Sequence, residues 1–384
     1  MRIIDTTDAL RDLCEGLRDA EFVTVDTEFM RESTFWPQLC LVQIASPGDD
    51  GAIIDPLADG IELGPLFELM YDENVLKVFH AARQDIEIFV NLGGKVPMPI
   101  FDTQIAAMVC GFGDSIAYDN LVTRLTGARI DKSSRFTDWS RRPLMDKQLN
   151  YALADVTHLR DVYLKLKQNL ANSGRTHWLD GEMDILTATG TYITEPDEAW
   201  RRVKTRNNKP RFLGVLQTVA AWREREATRR NIPRNRILRD EALQEIAADP
   251  PANAARLQRV RGFNKKMAEG VVGQNILKAV EAALAKPESD WPRVTRPEPL
   301  QPHLQPVVEL LKVLLKRKAA ENDVAQKLIC NTAELERIAA DSDADVPALK
   351  GWRREVFGDD ALRLKRGELG LAVRGGRIVE IDLS

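Results

Sequence analysis

The sequence predicts an α/β domain, a mixed β-sheet flanked by helices, followed by two small all-α domains. Three observations carry this reading. Between residues 22 and 110, short strand-like apolar runs give way to runs of helical period, in the order βββ-α-β-α-β-α. Beyond residue 208 the pattern is helical, in two blocks of similar length, 208–288 and 307–384. Between them, six prolines fall within residues 286–306, the composition of a stiff extended linker. A chain of 384 residues is also too long for one ordinary domain.

The first strand covers residues 22–29. Val23, Val25, Thr27 and Phe29 alternate onto one face, and Thr24, Asp26 and Glu28 onto the other. Carboxylates two residues apart on a strand stand roughly 7 Å apart. In an apolar sheet they repel, and one is pushed toward protonation. A divalent cation such as Mg²⁺ or Mn²⁺ relieves that repulsion; on a solvated strand face no cation is needed, so this pair alone decides nothing.

Strands at 38–46 and 51–56 follow, joined by the turn Ser46-Pro47-Gly48-Asp49-Asp50-Gly51. Short connections imply an antiparallel meander. A helix near 62–71, a strand at 76–80, a helix from Ala82, a short strand at 100–101 and a helix near 103–110 come next. Residues 115–170 read as helical, interrupted at 131–143, and 171–207 as a helical connector. Near the end, Gly375-Gly376 between two alternating runs predicts a hairpin. Arg256-Leu257-Gln258-Arg259-Val260 and Glu334-Leu335-Glu336-Arg337-Ile338 share a pattern, suggesting a duplicated module.

Composition narrows the function. The apolar fraction of 44% suffices for real cores, and no run approaches a membrane span. The N-terminal run lacks the apolar stretch and cleavage site of a leader. The four cysteines form no C-x-x-C pair and the four histidines are dispersed, against a disulfide framework or a zinc site. This fits a reducing, cytoplasmic setting. Net charge is −4, but residues 1–120 hold 22 acidic against 7 basic residues, and 201–240 hold 13 basic against 3 acidic. An acidic block suited to metals precedes a basic block suited to phosphates.

Two further placements complete a constellation. Asp85 falls in the first turns of a helix directly after a strand ending at His80, and Tyr151 and Asp155 stand at i, i+4 on one helix face. Each has an ordinary surface explanation, the first a carboxylate at a helix N-terminus. Together, Asp26-x-Glu28, Asp85 and Tyr151-x-x-x-Asp155 resemble the three motifs of the DEDD exonucleases, and the tyrosine resembles the DEDDy branch. In the histidine branch the position filled here by Asn150 carries His. The runs Val25-Asp26-Thr27-Glu28-Phe29, Leu41-Val42-Gln43-Ile44 and Asp138-Trp139-Ser140-Arg141-Arg142-Pro143-Leu144 are similar to the ribonuclease D family. The basic helical block resembles the HRDC domain, and 307–384 a second, more diverged copy.

The resemblance implies a ribonuclease H-like DEDDy 3′–5′ exonuclease domain (1–170), a connector (171–207), an HRDC-like domain (208–288), a proline-rich linker (289–306) and a second HRDC-like domain (307–384). It implies two divalent cations, Mg²⁺ or Mn²⁺, held by Asp26, Glu28, Asp85 and Asp155, with Asp26 bridging and Asp85 acting mainly through water. Tyr151 would position the attacking water, since an ordinary phenol pKa near 10 disfavours a phenolate base. His80 would pack or touch the terminal sugar. The implied substrate is RNA with a free 3′ end, tRNA precursors and other structured RNA among them, shortened to nucleoside 5′-monophosphates with no protein partner required.

Arg129, Lys132, Arg135, Arg141 and Arg142 either grip the substrate backbone or form a solvated face. Arg206, Lys209 and Arg211 belong to the basic cluster, for which phosphate contact is the favoured reading. Trp139 is read as core. A DNA 3′–5′ exonuclease of proofreading type would use the same carboxylates, and rates on matched RNA and DNA separate the two. A catalytically inactive nucleic-acid-binding scaffold is the other rival, and it has no physical need to keep four acids beside phosphates.

Overall fold

The structure, a computed structural model, describes residues 2–48, 51–135, 137–294 and 299–383. Asp49 and Asp50 of the expected turn, Phe136, and residues 295–298 of the proline-rich stretch lie outside these.

The chain opens with β1 (Arg2–Ile4) and α1 (Thr7–Leu17), two elements the strand reading passed over. Three residues are too few for alternation to show in β1. In α1 the signal was present: Leu10, Leu13, Cys14 and Leu17 share one buried face, and the Thr6 hydroxyl caps the first turn. β2 (Phe22–Met30), β3 (Gln38–Ala45) and β4 (Ala52–Ile54) form the expected antiparallel meander, and β1 joins β4 in parallel. After α2 (Gly64–Met70), β5 (Leu76–Phe79) pairs in parallel with β2. After α3 (Arg83–Gly93), β6 (Ile100–Asp102) pairs in parallel with β5. The strand order is β1-β4-β3-β2-β5-β6.

Both faces of this mixed sheet are covered. On one, Leu10, Leu66, Leu69, Ile86 and Phe89 from α1, α2 and α3 pack against Val23 and Val25. On the other lie α4 (Thr103–Val109), α5 (Tyr118–Thr126) and α6 (Asp146–Ser173), with the Thr24 hydroxyl donating to the Val156 carbonyl at 2.8 Å. β2 overhangs its parallel neighbour: only Phe22–Thr24 pair with β5. Asp26 and Glu28 therefore have a paired strand, β3, on one side alone. A register shift after Glu28 bends β2 away just beyond them.

The connector carries α7 (Asp180–Thr187) and a 3₁₀ turn, Pro196–Arg202, that belongs to the next core. Trp200 and Val203 are buried with Phe212, Leu213 and Leu216 of α8 (Pro210–Arg230), so this helical unit begins before residue 208. The expected extended linker is folded back at its start. The Trp291 indole donates to the Ala283 carbonyl at 3.1 Å and lies where a Cβ on Gly214 would stand.

Residues 307–383 are not a free-standing appendage. Leu311, Leu314, Ala325 and Leu328 share one continuous core with Ala106, Ala107 and Val109 of α4. Ala325 N donates to the Met108 carbonyl at 2.9 Å, and Trp178 stacks on Trp352 with centroids 4.2 Å apart. Gly111, at φ +80°, allows the closest approach: a Cβ there would press into Asp323, 2.8 Å from its carbonyl oxygen. The first helical unit docks differently. Asn231, at φ +47° after α8, accepts hydrogen bonds from Phe35 N (3.2 Å) and Trp36 N (3.1 Å).

The two helical units share an element order: a long helix, a one-turn helix and a nine-residue helix (Asp240–Ala248 in one, Thr332–Ala340 in the other). The buried residues Ile237 and Leu243 correspond in spacing to Ile329 and Leu335. This moves the repeat signal: Arg256–Val260 does not match Glu334–Ile338, because residues 254–257 form a later helix. The chain closes with the expected hairpin, β7 (Leu369–Arg374) and β8 (Arg377–Asp382), turned by Gly375 and Gly376 at positive φ. Among the described residues no helix is long and apolar enough to cross a membrane.

Candidate active site

The overhang of β2 presents Asp26 and Glu28 at the mouth of a cleft of about 510 Å³. α6 crosses the same sheet face and adds Asp155. Its neighbours Ala152 and Val156 are fully buried, which fixes the rotation of the helix and aims Asp155 into the cleft. One oxygen from each of Asp26, Glu28 and Asp155 lies within 4.8 Å of the other two. Tyr151, one turn earlier on α6, lines the same cleft, with its hydroxyl near enough to Asp155 to pull that carboxylate's pKa down. Asp85 enters from the first turn of α3 and lines the cleft, but stands outside the close trio. Its Oδ1 accepts from the Thr27 hydroxyl at 2.5 Å.

Burial and mutual repulsion dominate the electrostatics. Burial, then Asp155, pushes Asp26 well above the usual carboxylate range. Burial, then Asp26, Asp155 and Asp85, lifts Glu28 to about 10, with Arg135 pulling the other way. Burial raises Asp155 to about 7, against the Tyr151 hydrogen bond and Arg135. Asp85 is raised by burial and by Asp26, and Tyr151 by burial and by Asp155. Three hard oxygen donors that cannot share one cleft as free anions are the donor set that Mg²⁺ or Mn²⁺ takes, so the residues fit divalent cations.

The turn between β5 and α3 is strained and then clamped. Ala81 sits at φ +59°, a region a residue with a Cβ rarely enters. Asp102, buried at the end of β6, accepts from Ala81 N (3.0 Å), Ala82 N (2.9 Å) and Gln104 N (2.7 Å). One carboxylate thus fixes the approach of α3, and of Asp85, to the cleft. His80, beside Ala81, faces the cleft with Nδ1 3.0 Å from the Thr103 hydroxyl. Burial lowers its pKa, which keeps it neutral.

The cations read from sequence part company here. Lys132 and Arg135 line the cleft, Lys132 paired with Asp119. Arg141 lies outside it, largely exposed beside Asp138. Arg142, expected among the phosphate contacts, has its guanidinium engaged within the fold. Its five N–H groups go to both Asp55 oxygens and to the carbonyls of Trp139, Arg141 and Cys40, stapling the 137–143 loop to the sheet. Arg206, Lys209 and Arg211 sit at the start of the first helical unit, exposed and away from the cleft lining. Much of the surrounding basic block is neutralised by Glu198, Asp197, Glu226, Glu224 and Asp240. Trp139 is core, at 2% exposure.

Sequence reasoning missed Tyr118 and Asp102. The Tyr118 hydroxyl donates to the Asp155 carbonyl at 2.6 Å, and its ring lies 5.2 Å from His80. No periodic signal marks the first residue of a helix as part of a cleft. Asp102 was legible in principle, as an acid directly before a helix.

Comparison with known proteins places this geometry. A family profile described as 3′-5′ exonuclease matches residues 1–171, and one described as HRDC domain matches residues 212–280. Ribonuclease D of Nitrobacter hamburgensis is 52% identical over 384 residues, all of both chains. Ribonuclease D of Bartonella henselae is 50% identical, covering 98% of this chain and 93% of its own. The crystal structure of Escherichia coli RNase D, described as an exoribonuclease involved in structured RNA processing, superposes with a TM-score of 0.80 at 29% identity, covering 95% of this chain and 98% of its own. With relatives this similar over its full length, an exonuclease profile on the sheet domain and an HRDC profile behind it, the chain belongs to the ribonuclease D family.

Proposed function

We propose that the chain is a metal-dependent 3′–5′ exoribonuclease that releases nucleoside 5′-monophosphates from RNA 3′ ends, tRNA precursors and other structured RNA included, with Mg²⁺ or Mn²⁺ and without a protein partner. The observation that carries the reading is the trio of Asp26, Glu28 and Asp155 oxygens within 4.8 Å, with Tyr151 beside them in the cleft. Asp26, Glu28 and Asp155 would hold the cations, with Asp85 contributing through water. Bound there, divalent cations lower the pKa of the attacking water and neutralise charge on the leaving oxygen.

The chain's own groups do the rest. Tyr151 stays protonated, because burial pushes its pKa above the ordinary phenol value. Its hydroxyl donates to Asp155, and its lone pair accepts from the attacking water, which it orients without removing a proton. Lys132 and Arg135 face the strand being shortened, and His80 packs against its terminal sugar. The HRDC-like units, proposed at 208–288 and 307–384, supply contacts to the RNA body. Among the described residues of the basic block, Lys204, Lys209, Arg211, Arg236 and Arg239 make no ion pair, which makes them the phosphate-binding candidates, with Arg206 beside them.

Asp26→Asn keeps shape and removes the charge shared among the cations. Turnover should fall at least a thousandfold while RNA affinity holds, and activity within tenfold of the parent would sink the assignment.

A further inference from the structure

β3, the strand paired with β2 behind the acidic pair, carries a residue that the mechanism above leaves idle. Gln43 is fully buried, at 0% exposure, and neither its Nε2 nor its Oε1 has a hydrogen-bond partner. Buried amides are paired almost without exception, so one with both ends open marks a missing neighbour. Its place in the sheet says which. Gln43 stands directly opposite Asp26 in the antiparallel β2–β3 register, and its other cross-strand partner is Ile53. Directly opposite residues project to the same face of a sheet with their Cβ atoms about 5 Å apart.

Of the polar residues on that face of β2, Thr24 spends its hydroxyl on the Ala45 and Val156 carbonyls and Glu28 lies one pair further along, opposite Leu41; the remaining neighbours are apolar. Leu41 and Ile53 flank Gln43, and Leu149 and Ala152 of α6 close over them. The carboxylate across the ladder is therefore the polar group that its open amide meets.

We propose that Gln43 is a positioning residue for Asp26. Its amide holds one buried water that donates to the Asp26 carboxylate, fixing the carboxylate plane and leaving the remaining lone pairs turned toward the cation site. Such a water has the two or more polar partners it needs in Nε2, Oε1 and the carboxylate. The arrangement matches the general behaviour of metal-ligating carboxylates, which are themselves oriented by hydrogen bonds. This inference rests on the metal-binding role given to Asp26 above.

The test measures Mn²⁺ binding to the full chain by electron paramagnetic resonance of the free ion, for the parent, Gln43→Met and Gln43→Leu. Thermal melting in chelator runs alongside. Both variants fill the space with apolar atoms and remove an unpartnered amide, so their melting temperatures in chelator should equal or exceed the parent's. Mn²⁺ affinity should fall about ten- to a hundredfold, the range for partners of metal ligands. KM for RNA at saturating Mn²⁺ should stay unchanged. Affinity within threefold of the parent in a folded variant overturns the proposal. Loss of fold in both variants overturns it as well, since the amide would then serve the sheet and not the site. A parent that takes up no Mn²⁺ instead refutes the function proposed for Asp26 itself.

Discussion

Metal binding should be coupled to proton release, with a steep pH dependence that the carboxylate cluster sets. In the metal-free protein Asp155 titrates at about 7 and Glu28 at about 10, and Asp26 is raised well above its ordinary range. At pH 7 the cluster thus holds at least one proton, which cations displace on binding. Each displaced proton weakens affinity about tenfold per pH unit below the corresponding pKa. Lowering the pH from 7 to 6 should weaken Mn²⁺ binding between about tenfold and a hundredfold.

Stability carries the same signature. The folded-state values lie above the unfolded ones, so the metal-free native state binds more protons than the unfolded chain. The stability this contributes is fully present below the ordinary carboxylate range, near pH 4. It is lost as pH rises through about 7 for Asp155 and about 10 for Glu28. Saturating Mn²⁺ should remove that decline. The assay is calorimetric titration at pH 6 and 7 in buffers of different ionisation heat, which counts protons directly. No proton released at pH 7, or an affinity change under threefold between the two pH values, would mean that the cluster is already ionised without metal.

Three further outcomes follow from particular contacts. Tyr151→Phe should keep Mn²⁺ affinity within a few fold and lower turnover about a hundredfold, the scale for a group that orients a proton-bearing reactant; unchanged turnover would return Tyr151 to a packing role. Arg142→Met strands the Asp55 carboxylate and should cost about 2–3 kcal/mol in denaturant unfolding, with no change in the salt dependence of KM; a shallower salt slope would make it a phosphate contact after all. Gly111→Ala adds a side chain at φ +80° against Asp323 and should loosen the unit at 305–383 by about 1–3 kcal/mol. Hydrogen exchange should then show faster exchange in the helix Gln305–Glu321 than in β2, and equal protection would contradict the shared core.

Much of the site was legible because its spacing is local. Alternation along 22–29 put Asp26 and Glu28 on one face, and a four-residue step put Tyr151 over Asp155. What escaped depends on pairing at long range. Nothing in the charge count shows that Arg142 meets Asp55, 87 residues away, or that Arg201, Arg223, Arg225, Arg229, Arg230 and Arg234 of the basic block are paired with acidic neighbours. The docking of 307–383 was hidden for a related reason. Its apolar residues satisfy a helical pattern whether they close a separate core or, as Leu311 and Ala325 do, share one with α4. Proline content likewise marked a linker but not that Trp291 anchors its start.

Exonuclease action at this cleft is read out by digestion of an end-labelled tRNA precursor by the full chain, with product analysis in Mg²⁺, in Mn²⁺ and in chelator. Stepwise shortening from the 3′ end, release of nucleoside 5′-monophosphates and arrest in chelator are expected. Internal cleavage, products bearing 3′-phosphates, or unchanged activity in chelator would contradict that action.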